Sequence, residues 1–390
     1  MQADKVRGML WGAVCGSALG LPFLGRDPEV CPQWPDKASE EAFVAKRAAA
    51  FRDRPSTSHG KHPTGSWSGI LDPLLLALKT LVELPQVMVD PQVPNAGHRG
   101  IVLEFVAKYS HELRKWSLDG LAELNDPNSP YELDFYTRSV VSLPGYLERP
   151  LLVATQFVGH NPNDCAALLR VLAAAIMPSA AAAERLALLT CCITHKSKSV
   201  AACGCFIVLV LQGLLFDTPE RRHLVVYACS RLEHLVQGLD RSRIYKTISE
   251  DKLQDVGGRD YAGRHLASVR CFMFALRQVL AADALPQDKT PLPQDNTPLP
   301  QDNTPLPQDN TPLPQDKTPL PQDKTLPLLW ERTLSTVCVK GGSADVNGAL
   351  AGAVLGARYG SAVLPPWKDE LPHAKWLDHL IEDAVRTVCL

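Results

Sequence analysis

Apolar residues recur at intervals of three and four along most of the chain, the spacing that lines one face of an α-helix. The pattern predicts helices over Lys5–Leu19, Leu71–Val82, Ile101–Ser117, Asp164–Ile176, Ala181–Ile193, Ser199–Leu215, Pro219–Gln237 and Tyr261–Ala282. It resumes over Leu328–Val339, Asp345–Tyr359 and His373–Val388. No set of alternating apolar and polar positions suggests a sheet, so an all-α fold is expected. The segment Pro22 to Gly69 is rich in Pro, Gly, His and charge, and reads as a long surface loop.

One stretch breaks the pattern. From Leu285 to Thr325 the chain repeats PLPQDNT or PLPQDKT with a period of seven residues. Two prolines per repeat forbid a helix, so the heptad is not a coiled coil. Such a tract favours polyproline II or disorder, and at about 3.1 Å per residue it would span on the order of 100 Å. Helical patterning returns beyond it. The expected organisation is therefore a single compact multi-helix domain over 1–390, interrupted by a disordered Pro-rich insertion at 285–325. A ligand for proline-binding modules and a neutral expansion in a surface loop are both open readings of the tract.

Composition narrows the class. The chain has 390 residues, 45% of them apolar, and a formal charge of −2. That balance argues against general affinity for nucleic acid. Eleven cysteines are scattered without a CxxC spacing, which points to buried thiols in a reducing compartment and not to a disulfide framework or zinc module. The apolar run Val200 to Phe216 contains Gln212 and two glycines and falls short of the ~20 residues a membrane span requires. A soluble protein of the cytoplasm or nucleocytoplasm is expected, with no nucleic-acid or membrane partner.

Four short stretches could carry chemistry. Gly12–Gly20 places small residues at helical spacing, which suits close helix packing. Gly65–Pro73 is a polar turn before an apolar helix, with Asp72 expected as the N-cap and Pro73 at the first helical position. Thr194-His195 lies between two helices, where a histidine can cap or hydrogen-bond as readily as catalyse. The fourth is GGSADVN, Gly341 to Asn347, a small-residue turn feeding an Ala/Gly-rich helix. Turns of that kind present oxygen ligands to metals or phosphates, yet this one holds one carboxylate, Asp345. His111-Glu112 lacks the second histidine of HExxH, and there is no Walker-type loop, dinucleotide fingerprint or nucleophile elbow.

Taken in order, these stretches resemble the ADP-ribosylglycohydrolase family. Gly16-Ser17-Ala18-Leu19-Gly20 is similar to its G-D-A-x-G pattern, and Trp67-Ser68-Gly69-Ile70-Leu71-Asp72 to its W-T-D-D-T-D. Thr194-His195 matches a T-H pattern. Gly341–Gly348 matches G-G-D-A-D-T-N-A, and Ala351–Gly360 matches the A-G-A-x-x-G-A-R-x-G that follows. Cys165–Arg170 keeps the frame of N-G-x-L-M-R, while Leu364-Pro365-Pro366-Trp367 and Trp376-Leu377 resemble the family's end. The resemblance covers nearly the whole chain outside the tract.

The resemblance implies an all-α bundle-like domain that hydrolyses glycosidic bonds to ADP-ribose. It implies two magnesium ions held between the T-D-D and D-x-D-T turns. On this chain those ligand positions fall on Ser68, Gly69, Ile70, Ser343, Asp345 and Val346, and the aspartate of G-D-A falls on Ser17. Of these only Asp345 is a carboxylate, with Asp72 as a neighbour. Magnesium wants near-octahedral oxygen and clings to its water, and a pair of dications needs negative charge between them. The residual metal positions are thus Ser68, Asp345, Ser343 and Asp72, and Ser17, Asn347 and His195 are candidates for ligand binding. The first expectation is a degenerate member of the family, with no cofactor, that has lost binuclear hydrolysis and can still bind an ADP-ribose-like ligand or a protein partner. A second is an active hydrolase with one magnesium held by Asp345, Asp72, Ser68 and Ser343. A third is a scaffold that binds a protein partner through the Pro-rich repeat.

Overall fold

The computed structural model describes residues 2–24, 66–88, 98–124, 135–157, 164–216, 224–232, 241–249, 253, 264–284 and 325–389. Fourteen α-helices run through them, and no strand occurs among the described residues. In chain order they are α1 (Gln2–Gly20), α2 (Asp72–Glu83), α3 (His98–Asp119), α4 (Phe135–Val141), α5 (Pro150–Gln156), α6 (Ala167–Arg170) and α7 (Ala180–Cys192). Then follow α8 (Lys198–Leu215), α9 (Leu224–Leu232), α10 (Arg241–Ser249), α11 (Arg264–Ala284), α12 (Thr325–Cys338), α13 (Ala344–Tyr359) and α14 (Ala374–Cys389).

The expected all-α architecture holds, and its helices share one apolar core. Two are central. Helices α1 and α13 lie antiparallel with their backbones touching. Gly8, Gly12, Gly16 and Gly20 of α1, four residues apart, meet Gly356, Gly352, Gly348 and Ala344 of α13 in reverse order. A Cβ built on any of the four in α1 would fall on the carbonyl group opposite. Because residues four apart share a helix face, the small-residue stripe of α1 is a packing surface throughout its length. The pair is enclosed by other helices. Lys5 reaches across to donate to the Leu214 carbonyl at 3.0 Å, near the end of α8. Arg7 forks onto Glu382, and Trp11 Nε1 donates to Asp378 at 2.9 Å, fastening α1 to α14.

Polar residues set the helix ends. Ser179 caps α7 by accepting from the Ala182 amide, and Ser197 caps α8 by accepting from the Val200 amide, both at 3.3 Å. This satisfies amides that the first turn leaves open. Helix α8 is long and apolar enough to cross a membrane by length and composition, but 89% of it is buried inside the protein.

Several boundaries differ from expectation. The helix expected over Asp164–Ile176 begins at Ala167, since Asp164 turns back to accept from the Ala166 amide at 2.9 Å. It tightens into a 3₁₀ turn over Val171–Ile176, which stretches the rise per residue toward Pro178. The helix expected over Pro219–Gln237 is described as Leu224–Leu232. Helices α4, α5 and α10 were not predicted; at seven, seven and nine residues they are too short to show an apolar face more than about twice. Most of the expected Pro22–Gly69 loop lies outside the described residues, but its end, Ser66 to Gly69, is buried and not on the surface. The repeat tract also lies outside them.

Candidate functional site

The seven candidate residues are all buried. Ser17, Ser68, Asp345 and His195 are wholly enclosed, and Asn347, Asp72 and Ser343 nearly so. Their contacts fall in four places.

The first is the junction between the end of α1 and the start of α13. Gly20 packs onto Ala344 and the Cα of Asp345, which brings the last turn of α1 against the first turn of α13. Ser17, on the preceding turn of α1, accepts a hydrogen bond from the Ser68 amide at 3.2 Å. The Ser68 hydroxyl in turn accepts from the Ile70 amide at 3.3 Å, closing a tight turn on itself. The Ile70 side chain is half-buried and packs against the core. Across the junction Ser343, the N-cap residue of α13, lies near the Cys165 thiol at the approach to α6. Gly341 and Gly342 precede it with φ of 69° and 61°, a pair of left-handed positions that glycine adopts without steric cost.

This junction is where the family resemblance places the metal turns, and its donors are few. The carboxylate of Asp345 stands beside the Cys165 and Cys338 thiols. Burial pushes both thiols well above the ordinary cysteine range, and the Asp345 charge adds to that push, so they remain protonated. Ser17 and Ser68 contribute neutral oxygens already engaged with backbone amides. Among the described residues no group of three His, Cys, Asp or Glu side chains is placed to hold a metal ion.

Asp72 belongs to a second place. The expectation that it caps helix α2 is corrected: the N-cap is Leu71, and Asp72 is the first residue of the helix. Its Oδ1 accepts from Trp67 Nε1 and its Oδ2 from Trp116 Nε1, each at 2.9 Å. The carboxylate is therefore the anchor that joins the 66–71 turn, α2 and α3. Nothing in the sequence linked the two tryptophans to Asp72.

His195 belongs to the third. Arg170, fully buried, donates through one Nη to Thr194 Oγ1 and through the other to Thr137 Oγ1, both at 2.7 Å. A guanidinium only donates, so the Thr194 hydroxyl passes its own proton on to His195 Nδ1, 2.8 Å away. That leaves the proton of the neutral ring on Nε2. Burial, and then the Arg170 charge, hold the histidine well below its ordinary pKa. Nε2 has no hydrogen-bond partner among the described residues, nor does the hydroxyl of Tyr136, whose ring lies 4.8 Å from the imidazole. The signal for this cluster was legible: an arginine inside the apolar run LLRVLAAAI must find partners.

Asn347 sits on the inner face of α13, where the Ser268 hydroxyl of α11 donates to its side-chain oxygen at 2.7 Å. A separate shallow cleft is lined by Val87, Phe105, Met177, Arg185 and Leu186; none of the seven candidates lines it.

The glycine-paired central helices and the Ser68 turn held against α1 carry the stretches whose pattern resembles a family of glycohydrolases. The family model described as ADP-ribosylglycohydrolase matches residues 1–389, and the chain belongs to that family. A solved structure described as an ADP-ribosylglycohydrolase-related protein complex matches with a TM-score of 0.52 and 15% identity, over 99% of this chain and 99% of that one, a likeness of fold. No curated protein matches the chain significantly.

Proposed function

We propose that this protein keeps the ADP-ribosylglycohydrolase fold without binuclear magnesium hydrolysis, and acts by binding an ADP-ribose-like ligand instead of cleaving it. The observation that carries the reading is the hydrogen bond between the Ser68 amide and Ser17 Oγ. It joins the turn at Ser68 directly to α1 through a neutral hydroxyl, at the position where the resemblance would put an aspartate. A pair of dications needs several anionic oxygens, and one carboxylate with two protonated thiols does not offset their repulsion or the cost of stripping their water. The residues present do not fit the metal pair, and no hydrolytic step is drawn through it.

The alternative of one magnesium shared by Asp345, Asp72, Ser68 and Ser343 has less support. Asp72 already serves two indole N–H groups, and releasing it would leave both buried donors without their acceptor. Isothermal titration of ADP-ribose into the full chain, with and without millimolar magnesium, tests the proposal. The expected outcome is binding whose Kd is the same within twofold in both conditions. Tightening by tenfold or more with magnesium, or release of ADP-ribose from a modified peptide that Asp345→Ala abolishes, would overturn it.

A further inference from the structure

Ser199 and His265 form a pair that the family resemblance leaves unused. Ser199 is the second residue of α8 and half-buried; His265 is the second residue of α11 and only 2% exposed. The serine Oγ lies 2.7 Å from His265 Nε2. The two residues are far apart in sequence and meet where α8 and α11 converge on α13. On the same face of α11, one turn after His265, Ser268 holds Asn347 of α13.

A hydroxyl hydrogen-bonded to an imidazole nitrogen at this distance has the arrangement of a nucleophile and its base. Its position on α8 adds a second element. Ser197 takes the Val200 amide, so the amides of Lys198 and Ser199 stand in the first turn, where no helix carbonyl is available to them. Such donors, at the positive end of the helix dipole, suit an oxyanion forming beside Ser199. Ser199 is the less buried member of the pair, and the enclosed His265 ring stands behind it.

We propose that Ser199 and His265 are the nucleophile and general base of an acyl-transfer site acting on carboxylic esters. Ser199 Oγ adds to the ester carbonyl carbon as its proton passes to His265 Nε2. The tetrahedral adduct then expels the alkoxide, which leaves as the alcohol with that proton. Water attacks the acyl-serine, gives a proton to His265, and releases the carboxylic acid as the proton returns to Ser199. An ester suits this pair better than a glycoside, whose hydrolysis calls on two carboxylates. The site stands independently of ADP-ribose binding.

The test uses the purified full-length chain, a fluorophosphonate probe and p-nitrophenyl butyrate. The probe is expected to add to Ser199, located by peptide mass spectrometry, and nitrophenolate is expected to form faster than in buffer. Ser199→Ala should abolish the adduct and lower ester turnover by about 10²–10⁴-fold, with helical circular dichroism unchanged and a folded, cooperative thermal transition retained. His265→Gln should slow labelling by a similar factor. Because the histidine is buried and its variant can unfold, the adduct in the wild-type chain and the Ser199→Ala rates decide the matter. No adduct at Ser199, or wild-type turnover in Ser199→Ala, overturns the proposal. Titration of ADP-ribose into Ser199→Ala reads the glycohydrolase-fold proposal separately.

Discussion

Asp72 shows how a residue that reads as a helix cap can instead anchor two indoles. Its two oxygens each accept one indole N–H in a fully packed setting. In Asp72→Asn one acceptor becomes an NH₂ group facing a buried donor. With charged hydrogen bonds worth about 1.5–3 kcal/mol and an unsatisfied buried donor costing about 1–3 kcal/mol, the variant should lose about 2–4 kcal/mol. Urea unfolding followed by circular dichroism should show a lower midpoint with an unchanged slope. Loss of less than 0.5 kcal/mol would mean the indoles do not depend on this carboxylate. At the same scale, Ser17 and Ser343 were readable as substitutions for acidic positions and Ser68 as one for a threonine, since motif spacing places them. Their partners were not. That the Ser68 amide would bond to Ser17, or that Cys165 would face Ser343, depends on contacts between residues 51 and 178 positions apart, which no local pattern encodes.

Among the elements, α1 and α13 are the most informative pair. Glycine inside a helix usually weakens it, and Gly→Ala at a roomy site stabilises by about 0.5–1 kcal/mol. At Gly352 the sign reverses. A Cβ there would collide with the Gly12 carbonyl and come within 2.9 Å of the Trp330 ring, so neither backbone nor a large enclosed side chain can yield. Gly352→Ala should cost about 3 kcal/mol or more through forced separation of the helices. Gly204, in α8, is the internal comparison, because its Cβ would meet the Val171 methyl at 3.3 Å, a contact a slight shift relieves. Gly204→Ala should lie within about 1 kcal/mol of the wild type. Equal destabilisation of the two variants in chemical denaturation would refute this account of the pair. The long helices were legible because three or more turns display an apolar face repeatedly. The short ones escaped notice because Ile244 and Ile248 of α10, for example, give only one such repeat.

For the whole molecule, the all-α class and the resumption of the pattern beyond the repeats were legible from periodicity alone. The order of the two central helices in space was not. The stretch between α11 and α12 offers a test at this scale. Both flanking ends are fastened on their own: Asp283, at the end of α11, receives Arg358 Nε at 2.8 Å and the Tyr359 hydroxyl at 3.3 Å, and Trp330 and Leu334 of α12 are buried in the core. Replacing residues 285–324 by a ten-residue Gly/Ser linker should therefore leave the fold intact. Shortening the connection fourfold should add on the order of 1 kcal/mol through loop-closure entropy. A rise of a few degrees in Tm by calorimetry is the expected outcome, and a fall of 5 °C or more would show that the tract itself contributes to the fold.

The glycine pairing of α1 with α13 also sets a timetable. At about 5–20 residues per second, the ribosome delivers Gly348 roughly 20–60 s after Gly16. Throughout that interval the first helix has emerged without the backbone surface it was shaped to meet. Newborn chains of this protein must wait for their last quarter before the first can settle, which makes the unfinished chain a natural client for chaperones that shelter bare helices.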